Sequence, residues 1–298
     1  MTIPHRPFGA LLCAMVTPMH EDGSLDLDAA ANLARFLVDR GHDGLVLSGT
    51  TGEAPTTHAP EKVELIHAVR AAVGADVKIL SGAGSNDTAH AVRMAEQAAE
   101  AGVDGILALV PYYSKPSQPG IVAHLTAIHD ASDKPVMLYD IPGRTGVALT
   151  DESFDQLATR DNIVANKDAT GNPAAAKDRI ARTGLAWYSG DDPLNLELLR
   201  QGAVGTVSVS SHVASREIKA MIQAHDAGNV AEAESIHERL MPVHDAIFNG
   251  PGATNAKAAM QIMGVIPSRA MRLPLLPANP EEYAHLEAVL SSAGLLDN

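Results

Sequence analysis

Short apolar runs alternate with amphipathic stretches along most of the chain. Leu27, Ala30, Ala34 and Leu37 recur at the spacing of one helix face, and the compact apolar run 44–47 follows them. A run of that length between turn residues is typical of a buried strand, whereas the longer periodic stretch predicts a helix. The alternation therefore indicates an α/β protein in which helices connect parallel strands.

Eight apolar runs have the length of buried strands, and a helical pattern clearly follows each of them except the last. They span residues 11–16, 44–47, 77–80, 105–109, 135–139, 163–167, 186–188 and 206–209. Eight β/α units close a barrel. We therefore predict a (β/α)8 TIM barrel over residues 1–210, with residues 211–298 as a C-terminal helical extension. The extension is expected to cover the barrel, to form an oligomer interface, or to do both.

Charge and cysteine content narrow the classes of partner. The chain has 36 acidic and 22 basic residues and a formal net charge of −14. This charge argues against nucleic acid and anionic membrane surfaces as partners. The single cysteine, Cys13, excludes an intramolecular disulfide and a cysteine-based metal cluster, which suits a reducing, cytoplasmic location.

Residues 8–16 have the length of a signal-peptide core and need separate interpretation. The positive flank is a lone Arg6, no small-residue cleavage site follows, and Leu12 stands where a small residue is required. We predict a first buried strand here instead. No stretch approaches the about 18 consecutive apolar residues of a membrane span, so no membrane partner is expected.

The strand predicted at residues 163–167 ends in a lysine. In a barrel of this type the carboxyl ends of the strands face the active site. Among the eight lysines only Lys167 lies at such an end, whereas Lys78 lies near the start of its strand. Burial disfavours the charged amine, lowers its pKa and allows the neutral amine to attack a carbonyl. We predict a Schiff-base lysine; the alternative is a side chain that reaches solvent or pairs with Asp168.

Other polar residues follow the predicted strands at the same end of the barrel. Thr50 and Thr51 lie in a glycine-flanked turn whose free N–H groups suit a carboxylate. Tyr139 could exchange protons with an imine, and Arg144 offers a fork-shaped donor for a second carboxylate. Each also has an ordinary alternative, as a turn residue, a core ring or a surface cation. Their shared position around Lys167 favours one active site.

Neither a phosphate loop nor a metal site is predicted. Residues 81–84 read SGAG and lack the G-x-G-x-x-G of a dinucleotide-binding loop. The thirteen histidines form no H-x-x-x-H pair with an acidic base, and most fall within helical stretches.

Five motifs in chain order resemble the dihydrodipicolinate synthase branch of the pyruvate-dependent class I aldolases, also called 4-hydroxy-tetrahydrodipicolinate synthases. They are GTTGE at 49–53, PYY at 111–113, YDIPGRTG at 139–146, KDATGN at 167–172 and SGDD at 189–192. The resemblance runs over residues 10–215. It implies condensation of pyruvate with L-aspartate 4-semialdehyde to 4-hydroxy-tetrahydrodipicolinate, the first committed step of diaminopimelate and lysine biosynthesis. It also implies that no cofactor is used and that the protein is a homotetramer, a dimer of dimers.

The resemblance further implies a catalytic set. Lys167 would form the Schiff base with pyruvate, and Tyr139 would shuttle protons. Thr50 would link Tyr139 to Tyr113, which in this family usually reaches in from the neighbouring subunit.

A substrate-binding set follows from the same resemblance. Thr51 would hold the pyruvate carboxylate, and Arg144 would help to recognise the carboxylate of aspartate semialdehyde. Gly190 and the carbonyl of Val207 match positions that line the same pocket.

Two departures from the family pattern stand out. Asn166 replaces a small or branched apolar residue before the lysine, a change expected to alter hydration of the amine. Many members are inhibited by lysine at a site whose residues match Asn86 and Tyr112, together with a glutamate at the position of His90. Because that carboxylate is missing, we expect weak or absent lysine feedback.

Two alternatives to the synthase remain open. One is a pyruvate aldolase that acts on a 2-oxo sugar acid, but such lyases typically lack the arginine matched by Arg144. The other is a non-catalytic barrel of the same fold, against which the intact Lys167, Tyr139, Thr50 and Tyr113 argue.

Overall fold

The computed structural model describes residues 5–296 and has a closed barrel of eight parallel strands at its centre. The strands pair in chain order, and the last returns to the first. They are β1 Leu11–Ala14, β2 Gly44–Leu47, β3 Lys78–Gly82, β4 Gly105–Leu109, β5 Val136–Asp140, β6 Ile163–Asp168, β7 Ala186–Ser189 and β8 Gly205–Ser208. The predicted (β/α)8 barrel is confirmed, and no strand end differs from the predicted run by more than two residues.

Helices follow the strands and continue beyond them. In the described part of the chain they are α1 Leu27–Asp39, α2 Ala59–Val73, α3 Thr88–Glu100, α4 Gln118–Asp130, α5 Pro142–Thr145, α6 Asp151–Leu157, α7 Ala176–Thr183, α8 Asn195–Arg200, α9 Ser211–Asp226, α10 Val230–Phe248, α11 Gly252–Ile262 and α12 Pro280–Ser292. Several begin at a residue that caps free backbone N–H groups. Asp26, before α1, accepts from Ala29 N at 2.9 Å, and Asn279 forms a capping box with Glu282 in the first turn of α12.

The N-terminal apolar run lies inside the fold. Phe8, Met15 and Val16 are buried on either side of β1. The prediction that residues 8–16 contain a buried first strand is therefore confirmed, with the strand itself limited to Leu11–Ala14. Across residues 5–296 no helix combines the length and apolar character needed to cross a membrane.

One apolar core connects the barrel to the C-terminal helices. Leu12 in β1 and Ile106 in β4 belong to the same buried cluster as Leu240 in α10 and Leu290 in α12. Helix α9 packs on β8 and β1 and so also occupies the place of the barrel's eighth outer helix. The division into a barrel, residues 1–210, and a C-terminal helical extension, residues 211–298, is a proposal about chain organisation. Residues 1–4 and 297–298 of these two parts lie outside the described residues.

Closure of the barrel between β8 and β1 requires a residue without a side chain. A Cβ on Gly205 would lie 2.2 Å from the carbonyl oxygen of Ala10, closer than any real contact. The glycine thus allows the last strand to approach the first, and closure brings the eight carboxyl strand ends around one opening.

Candidate active site

Lys167 lies near the carboxyl end of β6, and its neighbour in the β5 register is Tyr139. Only 5% of Lys167 is exposed, and Nζ lies 4.3 Å from the centre of the Tyr139 ring. Strand pairing therefore places the amine and the phenol together at the mouth of the barrel. The lysine neither reaches solvent nor lies on the outer wall.

Asp168 does not pair with the lysine. Its carboxylate accepts hydrogen bonds from Trp187 Nε1 at 2.8 Å and from the backbone N of Thr170 at 2.9 Å. Successive side chains on a strand point to opposite faces, so Asp168 faces away from the side that carries Lys167. The alternative of a Lys167–Asp168 ion pair is wrong.

Burial controls the charge of the Lys167 amine. It lowers the pKa of Lys167 from 10.5 to about 8, because the ammonium loses its hydration; Asp192 opposes this change, and Arg144 adds to it. At pH 7 roughly a tenth of the amine is then neutral, far more than for a lysine in water. The sequence-based expectation of a lowered pKa agrees with this environment.

Gly190 makes room for the lysine side chain. A Cβ at this position would lie 2.6 Å from Cε and 2.8 Å from Cγ of Lys167. The backbone after β7 therefore packs directly along the stem of the lysine. A side chain at residue 190 would displace it.

The aromatic ring of Tyr139 lies directly beside the amine. Burial raises the pKa of Tyr139 to about 12, although Arg144 and a hydrogen bond with the Thr50 hydroxyl act in the opposite direction. The phenol consequently stays protonated over the physiological range and can donate a proton. The structure brings together Lys167, Tyr139 and Thr50.

A cavity of about 310 Å³ opens beside these residues. Its wall includes Thr50, Tyr112, Tyr113, Tyr139 and Arg144. Lys167 and Thr51 are not part of the wall, but each is buried next to a residue that is. The cavity is large enough for a small keto acid and an aldehyde together.

Arg144 reaches this cavity from a short helix. Helix α5 begins at Pro142 and ends at Thr145, because the left-handed backbone of the next residue, Gly146, terminates it after one turn. Arg144 is exposed, and its positive charge lowers the pKa values of both Lys167 and Tyr139. A cation that faces the opening suits the recognition of a carboxylate.

Tyr113 differs from the other predicted catalytic residues. Its side chain is 86% exposed, and its backbone has a φ of +73°, which a non-glycine residue rarely adopts. It lines the outer part of the cavity. Within one chain, the phenol thus projects outward instead of packing on the buried pair.

The remaining predicted residues fall into two groups. Thr51 and Val207 are buried, Thr51 in the turn after β2 and Val207 in β8, two strands from β6. Asn86, just before α3, and His90, in its first turn, are exposed and lie outside the cavity wall. Of the three residues matched to the family's inhibitory site for free lysine, only Tyr112 lines the cavity.

Asp192 is a residue whose role sequence reasoning missed. Its buried Oδ2 accepts from the backbone N atoms of Val209 and Ser210 at 2.9 and 2.8 Å, and Oδ1 accepts from Asn195 Nδ2 at 3.0 Å. Asp192 holds the chain after β8 and supplies the charge that partly offsets burial of the Lys167 ammonium. The motif SGDD placed it at the rim, but no local pattern distinguished it from Asp191.

His212 is a second such residue. Nε2 accepts from Val16 N at 3.1 Å, and Nδ1 donates to Val209 O at 2.7 Å, which fixes the tautomer. Burial lowers the pKa of His212 to about 4, so the ring is neutral. It connects the chain segments after β1 and β8 and lies 3.5 Å from Cys13 Sγ.

Among residues 5–296 no group of three or more His, Cys, Asp and Glu side chains is arranged to bind a metal.

Comparison with known proteins identifies the family of this barrel. Residues 7–293 match the model of the Dihydrodipicolinate synthetase family. The chain belongs to this family. The family resemblance predicted from five motifs is therefore confirmed over almost the whole chain.

Individual members of the dihydrodipicolinate synthetase family are similar in sequence and structure. The 4-hydroxy-tetrahydrodipicolinate synthase of Kineococcus radiotolerans is 52% identical over 98% of this chain and 95% of its own. The crystal structure of DHDPS from Cyanidioschyzon merolae with lysine bound has a TM-score of 0.94 and 42% identity, covering 98% of this chain and 100% of that one. The chloride-inhibited dihydrodipicolinate synthase of Acinetobacter baumannii complexed with pyruvate has a TM-score of 0.93 and 33% identity, covering 97% and 99%.

Removing the buried amine of this family member should change its stability in a pH-dependent manner. Because the folded pKa is about 8 and the ordinary value is 10.5, the folded protein below pH 8 carries the cost of a buried charge, roughly 3 kcal/mol. The cost disappears as the pH rises from 8 to 10.5, since the folded amine loses its proton first. Lys167→Met, similar in length and uncharged, is expected to raise the free energy of unfolding at pH 7 by about 1–3 kcal/mol.

Chemical denaturation between pH 7 and pH 10 measures this effect, and the gain should shrink towards pH 10. Lys177→Met, on an exposed position of α7, is the matched control and should have little effect at any pH. A destabilisation by Lys167→Met that is equal at all pH values would contradict the assigned cost.

Proposed function

We propose that this protein condenses pyruvate with L-aspartate 4-semialdehyde through a Schiff base on Lys167. The single observation that carries the proposal is a buried amine of lowered pKa next to the protonated phenol of Tyr139, at the mouth of the barrel. The names shared by the curated relatives support the predicted synthase, a lyase of the class I aldolase type. They do not favour a sugar-acid aldolase or a non-catalytic barrel.

The proposed reaction begins with the neutral amine of Lys167. It attacks the keto carbon of pyruvate, and Tyr139 donates a proton as the carbinolamine loses water and becomes the imine. Tyr139, now deprotonated, accepts a methyl proton to give the enamine, whose carbon attacks the aldehyde of the second substrate, and the phenol returns the proton to the resulting alkoxide. The amino group of that substrate then displaces the lysine as the ring closes. The imine accepts the electron pair of the broken C–H bond, and the enamine returns this pair to the aldehyde carbon as the C–C bond forms, so the proposal includes no cofactor.

Thr51 and Arg144 are proposed to hold the two substrate carboxylates. Thr51 lies in the turn directly beside Thr50, where its hydroxyl and backbone N–H suit the small pyruvate carboxylate. Arg144 stands at the opening, as expected for the carboxylate of the later, larger substrate. Gly190 and the carbonyl of Val207 complete the proposed pocket, Gly190 by packing on the stem of Lys167.

Trapping of the imine tests this function directly. Brief reduction with borohydride in the presence of pyruvate is expected to leave a covalent adduct on Lys167, located by peptide mass spectrometry. Because attack requires the neutral amine, the initial rate should rise about tenfold per pH unit below the pKa and level off above pH 8. Lys167→Ala, which lacks the reacting amine, is the control and should give no adduct at this position.

Turnover with different aldehydes separates the remaining alternatives. Aspartate semialdehyde should react and 2-oxo sugar acids should not, and Arg144→Ala should lower the rate with aspartate semialdehyde roughly 10- to 100-fold. Faster cleavage of a sugar acid would favour the aldolase. Absence of any pyruvate adduct would leave the non-catalytic barrel.

We also propose a homotetramer built from tight dimers, in which Tyr113 completes the site of a neighbouring subunit. The exposed phenol and its strained backbone support this arrangement, because strain at an exposed aromatic residue is maintained where a contact requires it. A cytoplasmic location remains part of the proposal.

Mixing two inactive variants tests whether Tyr113 is shared between subunits. Tyr113→Phe and Lys167→Ala should each lower activity at least about 100-fold, since one removes a proton carrier and the other the nucleophile. Mixed oligomers contain sites with an intact Lys167 on one chain and an intact Tyr113 on its neighbour, so activity should return. The chain with both substitutions, mixed with Lys167→Ala, serves as control. No recovery in confirmed mixed oligomers would show that Tyr113 acts only within its own chain.

Lysine feedback is proposed to be weak in this protein. His90 is exposed in the first turn of α3, and its imidazole carries no negative charge that could attract an ammonium as a carboxylate does. Activity assays over a range of lysine concentrations are expected to show little inhibition, and His90→Glu is expected to increase sensitivity. Strong inhibition of the unsubstituted protein at low lysine concentration would refute the proposal.

A further inference from the structure

A fully buried ion pair connects the C-terminal extension to the turn that follows β2. Nζ of Lys257, in α11, lies 2.5 Å from Oε1 of Glu53, and neither side chain is more than 1% exposed. The same ammonium donates to the carbonyl oxygen of Ala270 at 2.7 Å. Neither residue has a part in the reaction proposed above, although Glu53 is the last residue of the GTTGE motif.

Glu53 also shapes the turn that contains the two threonines. Its backbone is left-handed, with a φ of +56°, and its N–H donates to the carbonyl oxygen of Thr50 at 3.1 Å. The next residue, Ala54, donates to Gly49 O at 3.2 Å. The turn therefore closes at Glu53, and the position of the Glu53 side chain constrains the positions of Thr50 and Thr51.

The second carboxylate oxygen is held by the segment after α11. Oε2 of Glu53 accepts from the backbone N of Arg272 at 3.0 Å. The Arg272 guanidinium donates to Gly23 O at 2.8 Å and to Thr56 O at 2.7 Å, and it pairs with Glu61. The extension thus contacts the β2 turn from more than one direction, with the Glu53 carboxylate at the centre.

Stability alone does not explain this arrangement. The desolvation of two buried charges offsets most of their attraction, and well-packed apolar side chains of similar size commonly stabilise a fold as well or better. Short charge-assisted hydrogen bonds instead define one geometry with little freedom. At this location the geometry so defined is that of the turn bearing Thr50 and Thr51.

We propose that Glu53 and Lys257 are positioning residues that hold Thr50 and Thr51 in the arrangement needed to bind pyruvate and to hydrogen-bond Tyr139. The inference rests on the proposed function, because the roles of the two threonines belong to it. It assigns the extension a direct effect on the active site in addition to any role in covering the barrel. Both residues act through others and do not touch the substrate.

A second ion pair offers a matched control at the other end of the same strand. Lys219, in α9, lies 2.5 Å from Oδ2 of Asp43, which precedes β2. That oxygen also accepts from Ala10 N and Leu11 N at 2.8 and 2.9 Å. This pair also joins a lysine of the C-terminal extension to a carboxylate of the barrel. It lies at the amino end of β2, at the opposite end of the barrel from Thr50 and Thr51. The control is more exposed than the pair at the mouth.

Steady-state kinetics of Lys257→Met and Lys219→Met distinguish positioning from general stabilisation. Both are measured well below their unfolding midpoints, which are determined in parallel. Lys257→Met is expected to raise the KM for pyruvate roughly tenfold, because a small displacement of binding groups has a large effect, and also to lower kcat. Lys219→Met should change the unfolding midpoint but leave the KM within about twofold. Equal KM values in the two variants would overturn the proposal.

Thr51→Val separates failure of this inference from failure of the proposed function. If Thr51→Val leaves the pyruvate KM unchanged, the carboxylate role of Thr51 is wrong, and so is the positioning role that depends on it. If Thr51→Val raises the KM whereas Lys257→Met does not, the threonine role stands and the positioning role is overturned.

A neutral pair keeps the test possible if Lys257→Met does not fold. Glu53→Gln combined with Lys257→Met removes both charges at similar side-chain volume, so no unpaired buried charge remains. The double variant is expected to fold and still to show a raised pyruvate KM, at least about threefold. A pyruvate KM equal to that of the unsubstituted protein would overturn the proposal.

Discussion

The burial of one ammonium group is the constraint on which the rest of the site depends. Lys167 lies almost completely out of water, and burial shifts its pKa by a margin that corresponds to roughly 3 kcal/mol against the charged form. Asp192 offsets part of this cost through its negative charge. The offset is incomplete, so the pKa of Lys167 stays below its ordinary value. The amine therefore stays partly neutral, as a nucleophile requires. The large apolar core of the barrel stabilises the fold and offsets the free-energy cost of burying the ammonium.

The parallel barrel converts this constraint into a defined geometry. Pairing of β5 with β6 sets Tyr139 beside Lys167, so their relative position depends on the strand ladder and not on a mobile loop. Gly190 lets the backbone after β7 pack on the lysine stem. The strand-end turn with Thr50 is held from outside the barrel by the Glu53–Lys257 pair. Groups that must meet at atomic distance thus lie on, or are fixed to, rigid elements.

The site formed by one chain is buried on one side and open on the other. Lys167 and Tyr139 lie at its closed side, whereas Arg144 and Tyr113 are exposed at the opening. This division matches the proposed order of events, since pyruvate condenses first with the buried amine and the aldehyde enters afterwards. It also explains why the proposed contribution of a neighbouring subunit concerns Tyr113 and not the buried pair.

The sequence by itself determined the strands, the closure of eight units into a barrel and the placement of Lys167 at a carboxyl strand end, because these depend on local apolar pattern and chain order. Only the tertiary structure decided which carboxylate favours the charged form of the amine. Asp168 is adjacent in sequence but accepts a hydrogen bond from Trp187, whereas Asp192, in the segment after the neighbouring strand β7, acts on the charge of the lysine. Likewise, Lys257 meets Glu53 across a separation of 204 residues. Periodicity identifies a helix and its apolar face, but the residue that this face meets depends on packing between distant segments, which no local pattern encodes.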